Sequence, residues 1–193
     1  MSHPALITLQ HFDYCSLFPL HNRQHVPDVP PEVMASGVQV ADEVKQIFNV
    51  MKVVKNDDDE KERIRIVQLW IDGEIKVENI YREKDLEGVD NVFKFIKDLM
   101  RPDKSRYFLY DCHFDTKESG RKEELIFMMW APDNGPMKSR MQYASSKSAM
   151  CRVVQGVKHI FEIHDVEDME PESFAERLKH NVLKMEGHPL RGN

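Results

Sequence analysis

The sequence predicts an α/β domain, with a central mixed β-sheet flanked by helices on both faces. Three observations carry this. Segments with apolar residues at helical spacing alternate along the chain with segments rich in β-formers. The central strand-like segments follow one another through tight, polar turns, which pairs them as antiparallel neighbours. Helical segments stand before, between and after those strands, so the sheet has layers available to cover it.

The elements follow in order. Residues 1–33 carry His3, His11, His21 and His25, with Pro27, Pro30 and Pro31 near the end, and show no helical or strand period. This stretch reads as a disordered extension, and residues 34–193 as the folded domain. Val44, Phe48 and Met51 stand at helical spacing, which predicts a helix over 42–53. Residues 56–62 form an acidic, solvated loop. Residues 63–71 alternate irregularly around Ile64, Ile66, Leu69 and Ile71 and predict a strand; Asp72-Gly73 turns the chain, and 74–81 returns as a second strand. Val92, Phe93, Phe95, Ile96 and Leu99 predict an amphipathic helix over 90–100, stopped before Pro102. Strands at 106–114 and 124–131 are joined by a charged turn containing Gly120. Pro136 suits a helix opening, Asn134 or Asp133 could cap it, and Gly156 marks the stop. Residues 156–163 predict a short edge strand, and 171–179 a last helix.

The 193 residues, 41% of them apolar and 31% charged, fit one soluble domain with an appendage. No apolar run approaches the roughly 20 residues that span a bilayer, and the N-terminus lacks the pattern of a signal peptide. Cys15, Cys112 and Cys151 are odd in number and widely spaced, which fits reduced thiols in the cytosol.

The distribution of charge is the main functional signal. The formal net charge is −6, yet no acidic residue occurs between Gly135 and Phe161, where Lys138, Arg140, Lys147, Arg152 and Lys158 are all basic. A basic helix on an acidic protein points to an acidic partner. At about 100° per residue, Tyr143, Met150, Val153 and Val154 share the side that faces the core. Lys138, Met141, Ser145, Ser148 and Arg152 fall nearly opposite. Met141 is then either a stray apolar residue on a solvated face or a soft anchor for a protein partner, ringed by positive charge.

The motif W-A-P-x-x-x-P-M-K-S-R-M-x-Y-A-S-S-K, from Trp130 to Lys147, is preceded by R-Y-F-L-Y-D (Arg106 to Asp111) and T-K-E-S (Thr116 to Ser119). Together these resemble the actin-depolymerising factor/cofilin family. The M-A-S-G-V at Met34 to Val38 and the M-E-G-H-P-L at Met185 to Leu190 are similar to the two ends of a vertebrate-type cofilin. The resemblance runs from Met34 to about Leu190 and is weak between Asn56 and Met100. It implies the actin-depolymerising-factor homology fold and a non-enzymatic actin-binding protein of the cytoplasm and actin cytoskeleton, which binds monomers and filaments and promotes severing and depolymerisation. Lys138, Arg140, Met141, Ser145 and Met150 match the family's monomer-binding helix. Arg121, Lys122 and Glu124 match its filament-side turn, where Gly120 looks like an insertion.

Ser36 matches the family's regulatory serine, which implies an actin-contacting position phosphorylated by a LIM-type kinase and restored by a phosphatase. By sequence alone it is an ordinary small residue before a helix. The resemblance also implies a start at Met34, which leaves an upstream start and a regulatory extension as alternatives. Cys151-Arg152-Val153 stands where cofilins commonly have three lysines. Residues 60–65 replace the usual basic cluster, so no nuclear import signal is evident. The same basic helix could instead attract phosphoinositides, which makes a peripheral lipid-head-group module the alternative. Nucleic acid is a poor partner for a helix with Tyr143 as its one aromatic residue on a negative protein.

No site for catalysis, cofactor or metal is expected. Ser145-Ser146 lack a patterned base, and the scattered glycines form no phosphate loop. Cys112-His113 sits in an apolar strand. His159 and His164 are five apart in a strand-like segment, a poor spacing for one metal. Asp57, Asp58 and Asp59 lack the glycine and terminal glutamate of a calcium loop.

Overall fold

Four helices and seven strands make up the domain in the computed structural model, which describes residues 38–53 and 59–191. In chain order they are α1 (Asp42–Lys52), β1 (Ile64–Asp72), β2 (Glu74–Arg82), α2 (Val92–Leu99), β3 (Arg106–Thr116), β4 (Gly120–Trp130), α3 (Met137–Val153), β5 (His159–Ile163), α4 (Pro171–Arg177), β6 (Val182–Met185) and β7 (His188–Pro189). The strands form one sheet in the order β2-β1-β3-β4-β5. β4 and β5 pair in parallel and the other neighbours are antiparallel. The mixed sheet that the sequence predicts is therefore present, with α3 as the crossover to its one parallel strand.

β3 is the spine. One edge pairs with β4 along its full length, from Arg106↔Trp130 to Thr116↔Gly120. The other edge is shared: β1 takes Tyr107 to Tyr110, and β6 takes Phe114 to Thr116. Side chains alternate between two cores, as strand geometry requires. Phe108, Tyr110, Cys112 and Phe114 of β3, with Ile126, Met128 and Trp130 of β4, pack with Phe93 and Ile96 of α2 and Phe174 of α4. Tyr107 and Leu109 of β3, with Phe127 and Met129 of β4, pack on the opposite face with Val44 and Phe48 of α1 and Tyr143 and Met150 of α3. Both faces are covered, which makes the central strands apolar on both sides.

The structure departs from the expected elements in three places. β1 does not alternate between core and solvent: Ile64 to Leu69 are all buried, and register shifts at Ile64/Ile66 and at Gln68/Leu69 produce its irregular pattern. Neither Asn134 nor Asp133 caps α3; Pro136 occupies the N-cap position, where no side chain bonds the helix, and Asp133 takes Arg140 instead. β6 and β7 were not expected at all. The acidic loop expected over 56–62 lies partly outside the described residues; its end, Glu60–Glu62, is a short 3₁₀ turn.

Candidate functional site

α3 is fixed on the sheet by tyrosines as well as by apolar contact. The Tyr143 hydroxyl accepts a hydrogen bond from the backbone N–H of Ile71 at the end of β1, at 3.1 Å. The Tyr107 hydroxyl of β3 donates to the backbone carbonyl of Tyr143, and the two rings stand 4.9 Å apart. Ser146, Ala149 and Met150 complete the buried face. Two of these four residues are small, so the apolar stripe of the helix is weak in sequence.

The opposite face is open. Lys138, Met141, Ser145, Ser148 and Arg152 are all exposed. Met141 is 65% exposed, and Met137 one turn earlier is 72% exposed. Residues four apart on a helix are surface neighbours, so the two thioethers form one apolar patch. The sequence reading singled out Met141 and missed Met137, although the i, i+4 spacing of two methionines was there to find it.

The positive charge on this helix is smaller than the residue count implies. Arg140 turns back onto Asp133, with Nη2 3.3 Å from Oδ1 and Nη1 donating to the backbone carbonyl at 2.6 Å. Lys147 pairs with Glu162 of β5, and Lys158 with Glu124 at 3.1 Å. Lys138 and Arg152 form no ion pair among the described residues. Lys138 lies between the two exposed methionines in sequence and leaves its charge to solvent.

Met150 is placed differently from its expected role. It is 0% exposed and packs in the core beneath α3. A partner cannot reach it, so the assignment as a contact residue is corrected: Met150 supports the helix from behind.

The residues expected on the second surface lie at the start of β4. Gly120 has φ +67° and closes the turn from β3, a backbone conformation that strains any residue with a Cβ. The apparent insertion is thus the residue this turn needs. The Arg121 side chain is exposed and lies 3.2 Å from Glu123 Oε1 and 3.1 Å from His113 Nδ1. Lys122 is half-buried. Glu124 points inward, its side chain 10% exposed, with Oε2 2.6 Å from His159 Nε2 and Oε1 3.5 Å from His180 Nε2. Burial alone would raise its pKa, but His159 and Lys158 hold the carboxyl below its ordinary value. Arg121 and Lys122 are available to a partner, whereas Glu124 is committed within the molecule. Ser36 lies outside the described residues.

The two surfaces stand on one sheet whose relatives are known. Residues 37–179 match the family described as cofilin/tropomyosin-type actin-binding protein. The fold is similar to that of Plasmodium berghei actin depolymerization factor 2, at 29% identity and a TM-score of 0.62, covering 76% of this chain and 99% of that one. It is also similar to Streptomyces griseoflavus cofilin, at 24% identity and a TM-score of 0.58, covering 73% and 98%. A Trypanosoma brucei ADF/cofilin matches at 25% identity and a TM-score of 0.52, covering 75% and 96%.

Proposed function

This chain belongs to the cofilin/tropomyosin-type actin-binding protein family, a family of non-enzymatic actin binders, and we propose that it binds actin monomers and filaments and promotes filament severing and depolymerisation. The observation that carries the reading is the exposed face of α3: an apolar patch of Met137 and Met141 beside Lys138, an exposed cation with no ion pair among the described residues. Such a patch is a poor surface to leave in water and a good one to bury in an apolar cleft with an acidic rim. α3 would wedge between two actin subdomains, with the methionines desolvated at the centre and Lys138 paired at the edge. Ser145 faces the same way and offers a hydroxyl to the contact. Arg140, held by Asp133, first has to exchange that partner for one on actin.

Arg121 and Lys122 would meet a second actin subunit in the filament. A protein that touches two neighbouring subunits, and fits them better in a twisted arrangement, shifts the filament toward that twist and weakens its contacts. Ser36 supplies the regulation in this reading. A phosphate there adds nearly two negative charges; a phosphate that reached Lys138 would neutralise that cation and repel an acidic actin surface. A LIM-type kinase and an opposing phosphatase would set its state. Residues 34–193 form the working domain, 1–33 an extension, and the motifs at both ends favour a cofilin of vertebrate type acting in the cytoplasmic actin cytoskeleton. The phosphoinositide alternative is less favoured, because Arg140, Lys147 and Lys158 are already engaged in ion pairs.

Filament co-sedimentation and microscopy of severing test this with the full chain. Wild type should bind and shorten filaments, and Lys138→Glu should weaken binding most at low salt. Wild-type protein that neither pellets with filaments nor alters their disassembly refutes the reading. Liposome flotation with phosphoinositide vesicles, positive where actin binding is absent, would favour the alternative.

A further inference from the structure

We propose that Glu124, His159 and His180 form a binding site for one zinc ion. The three residues come from the start of β4, the start of β5 and the loop between α4 and β6. One carboxylate oxygen and one nitrogen from each ring lie within 4.8 Å of one another. Glu124 bridges the two imidazoles through different oxygens, Oε2 toward His159 Nε2 at 2.6 Å and Oε1 toward His180 Nε2 at 3.5 Å. The expectation that no metal site exists rested on His159 and His164. Those two do not converge, since His164 Nδ1 turns to the Ala131 carbonyl at 2.9 Å. No spacing in the sequence could have brought His180 into the set.

The donor set fits zinc. Two imidazole nitrogens and a carboxylate oxygen, with a fourth position left for water, is an established zinc arrangement. Four ligands at about 2.0–2.2 Å in a tetrahedron stand about 3.3 Å apart. His159 and Glu124 must therefore separate slightly, while the widest of the three gaps closes. Packing orients both rings before any ion arrives. His180 stacks on Phe114 at 5.6 Å, and His159 leans on Phe161 at 5.9 Å. The rings of His159 and His180 meet at 74° with centroids 6.3 Å apart, so they approach one point from different directions. Lys158 Nζ lies 3.1 Å from Glu124 Oε1, and its side chain is 73% exposed and can swing into solvent. Each ring must present one bare nitrogen to the ion, so the His159 Nε2 that now faces Glu124 has to coordinate in place of that contact. Affinity should accordingly rise with pH.

Isothermal titration of zinc chloride into the full chain tests the site. A parallel variant with His3, His11, His21 and His25 changed to Gln removes competing imidazoles at the N-terminus. One zinc per chain should bind in that variant, more tightly at pH 7.5 than at pH 6, and raise Tm by roughly 5–10 °C at a hundredfold excess over Kd. His180→Ala should weaken the event at least tenfold. NMR of the imidazole Cε1–H signals should show those of His159 and His180 shifting together in the wild-type fold, so the outcome does not depend on how the variant folds. The proposal is overturned if zinc at 1 mM does not bind, if binding disappears with the N-terminal histidines, or if the His180→Ala variant binds within twofold of its parent.

Discussion

At the scale of single residues, the same side chain does opposite work on the two faces of α3. Met141 is exposed and Met150 fully buried, so truncating each should separate binding from folding. Met141→Ala removes no core contact and should change stability by less than about 0.5 kcal/mol. It should nonetheless weaken actin binding about tenfold or more, the loss typical of a central apolar anchor. Met150→Ala opens a cavity beneath the helix and should cost about 2–5 kcal/mol of stability, with actin binding changed only as far as the fold is lost. Urea unfolding and co-sedimentation of both variants distinguish these outcomes, and equal effects on the two measurements would defeat the division. Helical spacing alone was enough to place Met141 outward and Met150 inward. Family likeness made Met150 a contact, and the spacing was the better guide, because a helix on a sheet can offer a partner only the arc it turns to solvent. Glu124 was harder to read. Its partners, His159 and His180, lie 35 and 56 residues further on, and only the sheet brings them to it.

At the scale of elements, the hairpin of β6 and β7 shows what local pattern could not supply. V-L-K-M and H-P are too short and too mixed to announce strands, and their place depends on pairing with the distant end of β3. β3 and β4 were legible as long apolar runs, and the helices α1 and α2 because their helical spacing is sustained over two to three turns. The hairpin turns through Glu186 and Gly187, both at positive φ, 48° and 82°. A two-residue loop demands that conformation, and glutamate adopts it at a cost of about 1–2 kcal/mol. Its carboxylate explains why it is there. Glu186, 4% exposed, pairs with Arg65, itself 2% exposed, at 2.7 Å, and accepts hydrogen bonds from the Tyr110 hydroxyl at 2.6 Å and the His113 N–H at 3.0 Å. Arg65 also reaches Glu83 at 2.6 Å. Burial alone would lower the pKa of the guanidinium, but Glu186 and Glu83 raise it above its ordinary value. Glu186→Gly relaxes the turn yet strips a buried cation of its main partner, a loss of about 3–5 kcal/mol. The net effect should be destabilising by about 2–3 kcal/mol, read from urea midpoints. Adding Arg65→Met should recover part of it. A stabilised Glu186→Gly would mean that backbone strain, not the ion pair, dominates this hairpin.

At the scale of the whole molecule, stability should depend on acid through one band of carboxylates across β3 and β4. Asp111 accepts from Arg63 Nε at 2.6 Å, and Glu123 from Arg63 Nη1 at 2.6 Å. His113 Nε2 lies 3.5 Å from Asp111. Burial would raise each of these carboxyls, but His113 and Arg63 hold Asp111 below its ordinary value, Arg63 and His113 do so for Glu123, and His159 and Lys158 for Glu124. A carboxyl whose folded pKa is depressed stabilises the fold fully above its unfolded pKa, about 3.9 for Asp and 4.3 for Glu. That contribution is lost as pH falls through the folded value. These groups therefore give no slope near neutrality and a steep one below about pH 4. Asp111 and Glu123 share Arg63 and His113, so protonating one weakens the hold on the other and that loss should be cooperative, while Glu124 is held separately by His159 and Lys158. Urea midpoints measured from pH 7 to pH 2 should stay nearly level down to about pH 5 and then fall sharply. Asp111→Asn should lower the midpoint at pH 7 and flatten the descent below pH 4, because a neutral side chain has no proton left to bind. A variant that kept the full acid descent would place the sensitivity elsewhere and remove this band from the account of how the sheet is held together.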